Sequence, residues 1–378
     1  MNSPGLATAP LSQNRSLPTV RRLRTKIRLS PICHRSLPLR AENRRPTPVP
    51  SDRVSAVAAL CGLNRFEEAL DCYFSLDDID RENPTAQLWA ATAAARLGRY
   101  SAAIALATSA ETAFRDRGSS EEIRVLNLLG ALELERGHLN EAERRFRAVL
   151  TRTEVSSDRV IWAHSTTNLA SIFDLRGQPD AALRLYYEGL RLYQEAEDTR
   201  GIAQTYHNLN LVFRRLGMLE AAESVARLAV RSAEAVGEHS LIALCLSGQA
   251  ETRLERADLE GASQCLTRAQ ATAAVAQDDM CRAEVGRVSA QVHLREGRTS
   301  EAIEAAEISR SIAHRCGAAL VAAECAAVSA VGLGRAGRTE EATERRMEAT
   351  RGFGTVEARW HKERWVKAWN EACVPGCS

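Results

Sequence analysis

Lysine is almost missing from this 378-residue chain: Lys26, Lys362 and Lys367 stand against 47 arginines. That imbalance reads as the coding bias of a GC-rich genome, such as a bacterium's, rather than as arginine chemistry. It also removes the P-loop, which needs a lysine after a glycine-rich turn. Proline is nearly absent after residue 50, where only Pro84, Pro179 and Pro375 remain of eleven. So few breakers favour long helices over a turn-rich β architecture. Aromatic residues make up 5% of the chain. Neither G-x-S-x-G nor H-E-x-x-H occurs, and ten cysteines form no C-x-x-C pair. Ten cysteines over this length are not a disulfide scaffold. The one nearby pair, Cys373 and Cys377 in CVPGC, leaves only a weak zinc or terminal-disulfide reading. No catalytic residue, metal site or cofactor is expected.

Charge is divided unevenly. Residues 1–50 hold eight of the eleven prolines, ten basic residues and one acid, Glu42, so this segment carries +9. Residues 51–378 carry 40 basic and 47 acidic residues, or −7, beneath a whole-chain total of +2. With no Phe, Trp or Tyr, the first segment cannot bury enough surface to offset the entropy of ordering. Disorder is expected there. Its arginine-rich, acid-poor make-up also fits an organelle transit peptide, a start codon placed too early, or an arm touching nucleic acid weakly and without specificity. No apolar run of secretory type follows the early charges.

The body is organised by a repeated phrase. It reads LNRFEEAL at 63, LGRYSAAI at 97, RGHLNEAE at 136, RGQPDAAL at 176, LGMLEAAE at 216, RADLEGAS at 256, EGRTSEAI at 296 and AGRTEEAT at 336. The second residue of each phrase is Asn64, Gly98, Gly137, Gly177, Gly217, Ala257, Gly297 and Gly337, with steps of 34, 39 and then 40 five times. Five residues later alanine recurs without exception: Ala69, Ala103, Ala142, Ala182, Ala222, Ala262, Ala302 and Ala342. Seven residues before, the position is small in most repeats: Ala91, Gly130, Ala170, Ala250, Ala290 and Ala330. Small residues at both places let two helices cross closely, and glycine between them permits the positive φ of a reversal. Each unit is therefore predicted to be helix–turn–helix. Asn83-Pro84, Ser119-Ser120 and Ser156-Ser157-Asp158 supply starts for first helices. GLGRAG at 332–337 matches G-x-G-x-x-G, but it would close a helix, whereas a dinucleotide site opens one.

These phrases resemble the tetratricopeptide repeat (TPR) family over about residues 54–351, in a 40-residue variant of its usual 34. Similar spacing occurs in kinesin light chains and in bacterial sensor-regulators. The resemblance implies an all-α, right-handed superhelical solenoid of about eight helix–turn–helix repeats with a C-terminal capping helix. The expected organisation is a tail at 1–50, an array at 51–353 and a Trp-rich cap with a short tail at 354–378. In that cap Val356, Trp360, Val366, Trp369 and Cys373 fall near helical spacing, with Trp365 off the stripe. The cap reading competes with a partner-docking face or a homodimer through this helix.

The resemblance also implies a concave groove lined by residues 13, 10, 9, 6, 3 and 2 before each turn. In the third repeat these include Arg124 and Asn127. In the fourth they include His164, Asn168, Asp174 and Leu175, in the fifth Gln204, His207, Asn208, Leu211, Arg214 and Arg215, and in the seventh Glu284, Arg287, Gln291 and Arg295. Asn168 and Asn208 repeat one position, and stacked amides offer donor and acceptor to a peptide backbone whatever its sequence. Arg124, Arg214 and Arg287 could then select carboxylates. The ladder stops at Gly248 and Val288. The bland alternative is a solvated polar face. The expected function is a non-catalytic protein that binds a peptide or protein segment in the groove. The alternative is the sensor part of a transcriptional or signalling regulator acting through a partner. A cytoplasmic location is expected, or an organelle if residues 1–50 are a transit peptide, and no membrane span is expected.

Overall fold

The structure, a computed structural model, describes residues 53–63, 65–153, 158–276, 278–356 and 358–373. The basic segment 1–50, the turn position Asn64, the candidate caps Ser156 and Ser157, and Cys377 lie outside these residues. Among the described residues there are eighteen helices and no strand. The first pair is α1 (Arg53–Gly62) and α2 (Phe66–Phe74), followed by the short α3 (Asp78–Arg81). Six further pairs follow: α4 (Pro84–Arg96) with α5 (Tyr100–Asp116), α6 (Glu122–Glu135) with α7 (Leu139–Thr153), α8 (Arg159–Leu175) with α9 (Pro179–Glu195), α10 (Thr199–Arg215) with α11 (Leu219–Val236), α12 (His239–Glu255) with α13 (Leu259–Ala276), and α14 (Asp279–Arg295) with α15 (Thr299–Cys316). The last pair is α16 (Ala319–Arg335) and α17 (Thr339–Thr355), and α18 (Arg359–Cys373) ends the array. The pairs stack as a right-handed superhelical solenoid of eight repeats.

The two small positions do the packing expected of them. All eight alanines five residues after the turn are buried, none above 1% exposed. At Gly130 even a methyl group is excluded, because a Cβ there would lie 2.8 Å from the Phe146 ring. The fifth repeat breaks the small-residue rule with Asn210, and the structure supplies the reason. Its buried amide donates to the Ala222 carbonyl at 3.1 Å and to Thr252 Oγ1 at 2.6 Å, bridging one helix pair to the next. The turns from Gly98 to Gly337 all take positive φ, including the one non-glycine described there, Ala257, at 61°.

A second reversal joins each repeat to the next, and the sequence reading did not describe it. Gly118, Glu197, Gly237 and Gly317 have positive φ there. The first helix that follows starts on an aspartate in three places. Asp158, Asp198 and Asp278 accept from the backbone N–H of Ile161, Gly201 and Cys281. At the equivalent place in the sixth repeat Glu238 makes no cap. Its carboxylate instead pairs with Arg200 of the preceding repeat and with Arg96, four repeats earlier. The superhelix thus comes back on itself. The turn at Gly98 lies against Cys316, and the turn at Gly137 lies against Val356.

Helix α18 corrects the expected stripe. Val366 is exposed and Trp365 is buried, so the helix meets the array through His361, Trp365 and Trp369. Trp365 Nε1 donates to the Ala327 carbonyl of α16 at 3.3 Å, and its ring packs near Phe353 and Trp369. The guanidinium of Arg346 lies 5.5 Å from the Trp369 ring centroid.

Candidate partner-binding site

The first helix of each repeat alternates a face packed on its neighbours with a face turned to the inside of the superhelix. Two cavities lie on that inner face, of about 420 and 140 Å³. Glu251, Leu254, Glu255, Gln291, Leu294, Arg295, Glu324, Ala327, Val328, Val331 and Arg335 line the larger one. Each of these falls 13, 10, 9, 6, 3 or 2 residues before its turn, so the groove register holds here residue by residue. Phe353, His361, Arg364, Trp365 and Ala368 close the cavity from the C-terminal side.

The smaller cavity brings together three of the expected site residues, His207, Arg214 and Arg287, with Ser247 and Gly248. The two arginines are not free there. Arg214 is 4% exposed and donates to Glu251 at 2.8 Å and Glu255 at 2.9 Å. Arg287 is 9% exposed and meets Glu251 at 2.9 Å, Glu284 at 2.9 Å and Glu324 at 3.3 Å. Burial alone would raise the Glu251 carboxyl, but the pull of Arg214 and Arg287 wins and holds it far below the usual carboxylate range. Glu324 goes the other way, raised by burial and by Glu284 and Glu251 against the pull of Arg287. Arg215 pairs with Asp174, whose carboxyl burial raises. In a low-dielectric interior such pairs fix geometry more surely than they add stability.

The remaining expected residues lie along the earlier repeats. Arg124, at the entrance to α6, pairs with Asp158 at 3.0 Å and stays 43% exposed. Asn127 Oδ1 accepts from Ser165 Oγ at 2.9 Å. His164 Nδ1 lies 2.9 Å from the Tyr193 hydroxyl, and burial pushes its imidazolium down to about 4. Burial does the same to His207, also to about 4. Both imidazoles are therefore neutral near pH 7. Gln204 donates to Asn208 at 3.3 Å, which ties one amide of the expected ladder to its own helix. Asn168 is half-buried, and its side chain makes no hydrogen bond to the described residues. Glu251, Glu255, Glu324, His361 and Arg364 were not singled out from the sequence as site residues, and Trp365 was noted only as lying off the stripe of the last helix. The repeat register could have found the first three, since they occupy groove positions. The others sit beyond the last repeat, where no register applies.

Among the described residues no group of His, Cys, Asp and Glu could hold a metal ion, and no helix is long and apolar enough to cross a membrane. Seven described cysteines are free, and burial raises the thiols of Cys61 and Cys245 to about 12. The buried ones are small packing residues.

Residues 121–195 match the family model described as tetratricopeptide repeat. No curated protein sequence matches the chain. Among solved structures, a Rap protein complexed with competence and sporulation factor is similar, with a TM-score of 0.60 and 12% identity over 85% of this chain and 97% of that one. The Cut9–Hcn1 hetero-tetramer of the APC/C is similar with a TM-score of 0.57 and 16% identity, over 83% of this chain and 55% of that one. At these identities the likeness is one of fold.

Proposed function

We propose that this chain, an array of tetratricopeptide-like repeats whose residues 121–195 match the family model, works as a non-catalytic interaction protein that takes a peptide or protein segment on its inner face. The observation that carries this reading is the register. Groove positions of successive first helices supply the repeat walls of the larger cavity, from Glu251 to Arg335. A stack of equivalent positions presents the same chemistry at a regular rise, which suits an extended or helical segment better than a compact substrate. Asn168 and Asn208 extend that row toward the earlier repeats, and Arg124 stands at its outer end. Arg214 and Arg287 act as wall braces in this reading, because carboxylates of the chain already hold them.

The test is capture of partners from host lysate by the wild type and by Asn168→Ala/Asn208→Ala. Loss of one or more partners from the double variant, with helical circular dichroism unchanged, is the expected result. Equal recovery of every partner would sink the binding role of the amide row.

A second reading is the sensor part of a regulator. The Rap protein of matching length was crystallised with competence and sporulation factor. A fold of this extent therefore accommodates such a factor, and in this chain the inner face would be the place for one. Transfer of a kinase or DNA-binding output to a co-expressed partner would favour it over a plain scaffold.

A further inference from the structure

Helix α18 does not simply prolong the stack. It packs on α16, the first helix of the last repeat, as well as on α17. Its polar side chains reach further. His361 Nε2 lies 3.2 Å from Arg215 of the fifth repeat and 3.3 Å from Glu324 of the eighth. Arg364 meets Glu255 of the sixth repeat at 2.9 Å. Leu175 of the fourth repeat packs against the cluster that holds Phe353 and Trp365. Arg215, Glu255, Arg295 and Arg335 stand two residues before four successive turns, and all four border α18 or the cavity beside it. The helix therefore lies in the groove, where a bound segment would lie.

It fits that place by specific pairing, Arg364 with Glu255 and His361 with Glu324, while Arg295 and Arg335 also border the cavity. The ion-pair network under α18 joins five carboxylates, Asp174, Glu251, Glu255, Glu284 and Glu324, to three arginines of the repeats, Arg214, Arg215 and Arg287. Residues 359–373 carry four basic residues and two acidic ones. The fit is incomplete in volume, since a cavity of about 420 Å³ remains beside Trp365 and Arg364. The helix also packs on less of the array than adjacent repeats pack on one another, so it is held less firmly than they are.

We propose that α18 is an intramolecular occupant of the groove at repeats five to eight, and that the partner which displaces it is a basic helix bearing tryptophan, with an arginine for Glu255 and an indole for the Ala327 carbonyl. The proposal rests on the reading that the inner face binds a partner segment, and it names the chemistry of that segment.

The probe is a fluorescently labelled peptide of residues 357–373, titrated against the full chain. Trp365→Ala removes the anchor in cis and is expected to bind the peptide at least tenfold more tightly than the wild type does. Adding Glu255→Arg to that variant is expected to weaken binding about tenfold, with recovery on a peptide carrying Arg364→Glu. Equal affinity for wild type and Trp365→Ala, or no binding to either, overturns the proposal. Should Trp365→Ala lose helix beyond the length of α18, hydrogen exchange on the wild type decides instead. Amides of α18 are expected to exchange together and faster than those of α16, and equal protection overturns the proposal. Peptide exchange that persists alongside an inert Asn168→Ala/Asn208→Ala variant would refute only the amide row. Partner capture without peptide exchange would refute only the present inference.

Discussion

The guanidinium of Arg96 reaches the carboxylate of Glu238, 142 residues further along the chain. Repeats normally touch only their neighbours, so this pair couples two parts of the array that stacking alone leaves independent. Glu238→Gln is expected to cost about 1–3 kcal/mol in urea unfolding, as for loss of a partly buried charged partner. Its signature is spatial. Hydrogen exchange is expected to quicken in both α4 and α12, and a change confined to α12 would count against the coupling.

Glu251 carries two buried arginines at once. Glu251→Ala leaves Arg214 and Arg287 short of a counter-charge and is expected to destabilise the array by about 3–5 kcal/mol. Glu251→Gln keeps the acceptor and is expected to cost less. Denaturant midpoints of the two variants check the order.

Stability is expected to fall as pH drops from about 6.5 to 4, the buried His164, His207 and His361 outweighing Glu135, whose carboxyl burial raises to about 7 and which acts in the opposite sense. His164 and His207 sit at about 4 when folded, below the ordinary histidine value, so the unfolded chain binds more protons across that window. Glu307 adds to the loss below about pH 4.5. Its carboxyl is held at about 2, because Arg345, Arg310 and Ser329 overcome the opposing effect of burial. Its contribution is present above the unfolded value and disappears as the folded one is approached. A Tm that is flat or rises on acidification would contradict this assignment.

Ala257 holds a left-handed turn where the other described repeat turns hold glycine. Ala257→Gly is expected to stabilise by about 1 kcal/mol, the strain of an L-residue there being partly offset by glycine's greater unfolded freedom. The thermal midpoint tests it.

Much of the architecture was legible because one period governs it. The alanine after each turn and the small residue before it marked both helices of a repeat and where they cross. Asn210 escaped that rule because its amide bonds to the next repeat, a contact that the sequence within one repeat does not reveal. Counting back from the turns puts His207 and Arg287 among the residues that line the smaller cavity. What those side chains do was not legible. Glu251 lies 37 residues from Arg214 and 36 from Arg287, and only the curvature of the stack decides that they meet. The stripe of α18 was misread for a similar reason. Trp365 faces inward because a carbonyl and a phenyl ring of the last repeat await it, and no spacing rule contains them.

An open solenoid can lengthen or shorten by whole units with little consequence. This one has contacts from Arg96 to Glu238, from Gly98 to Cys316 and from Gly137 to Val356. Inserting or deleting one forty-residue unit between them would bring a different residue opposite each. The number of repeats is thus a fixed dimension of the molecule, set by closure in the way that strand number sets the size of a barrel.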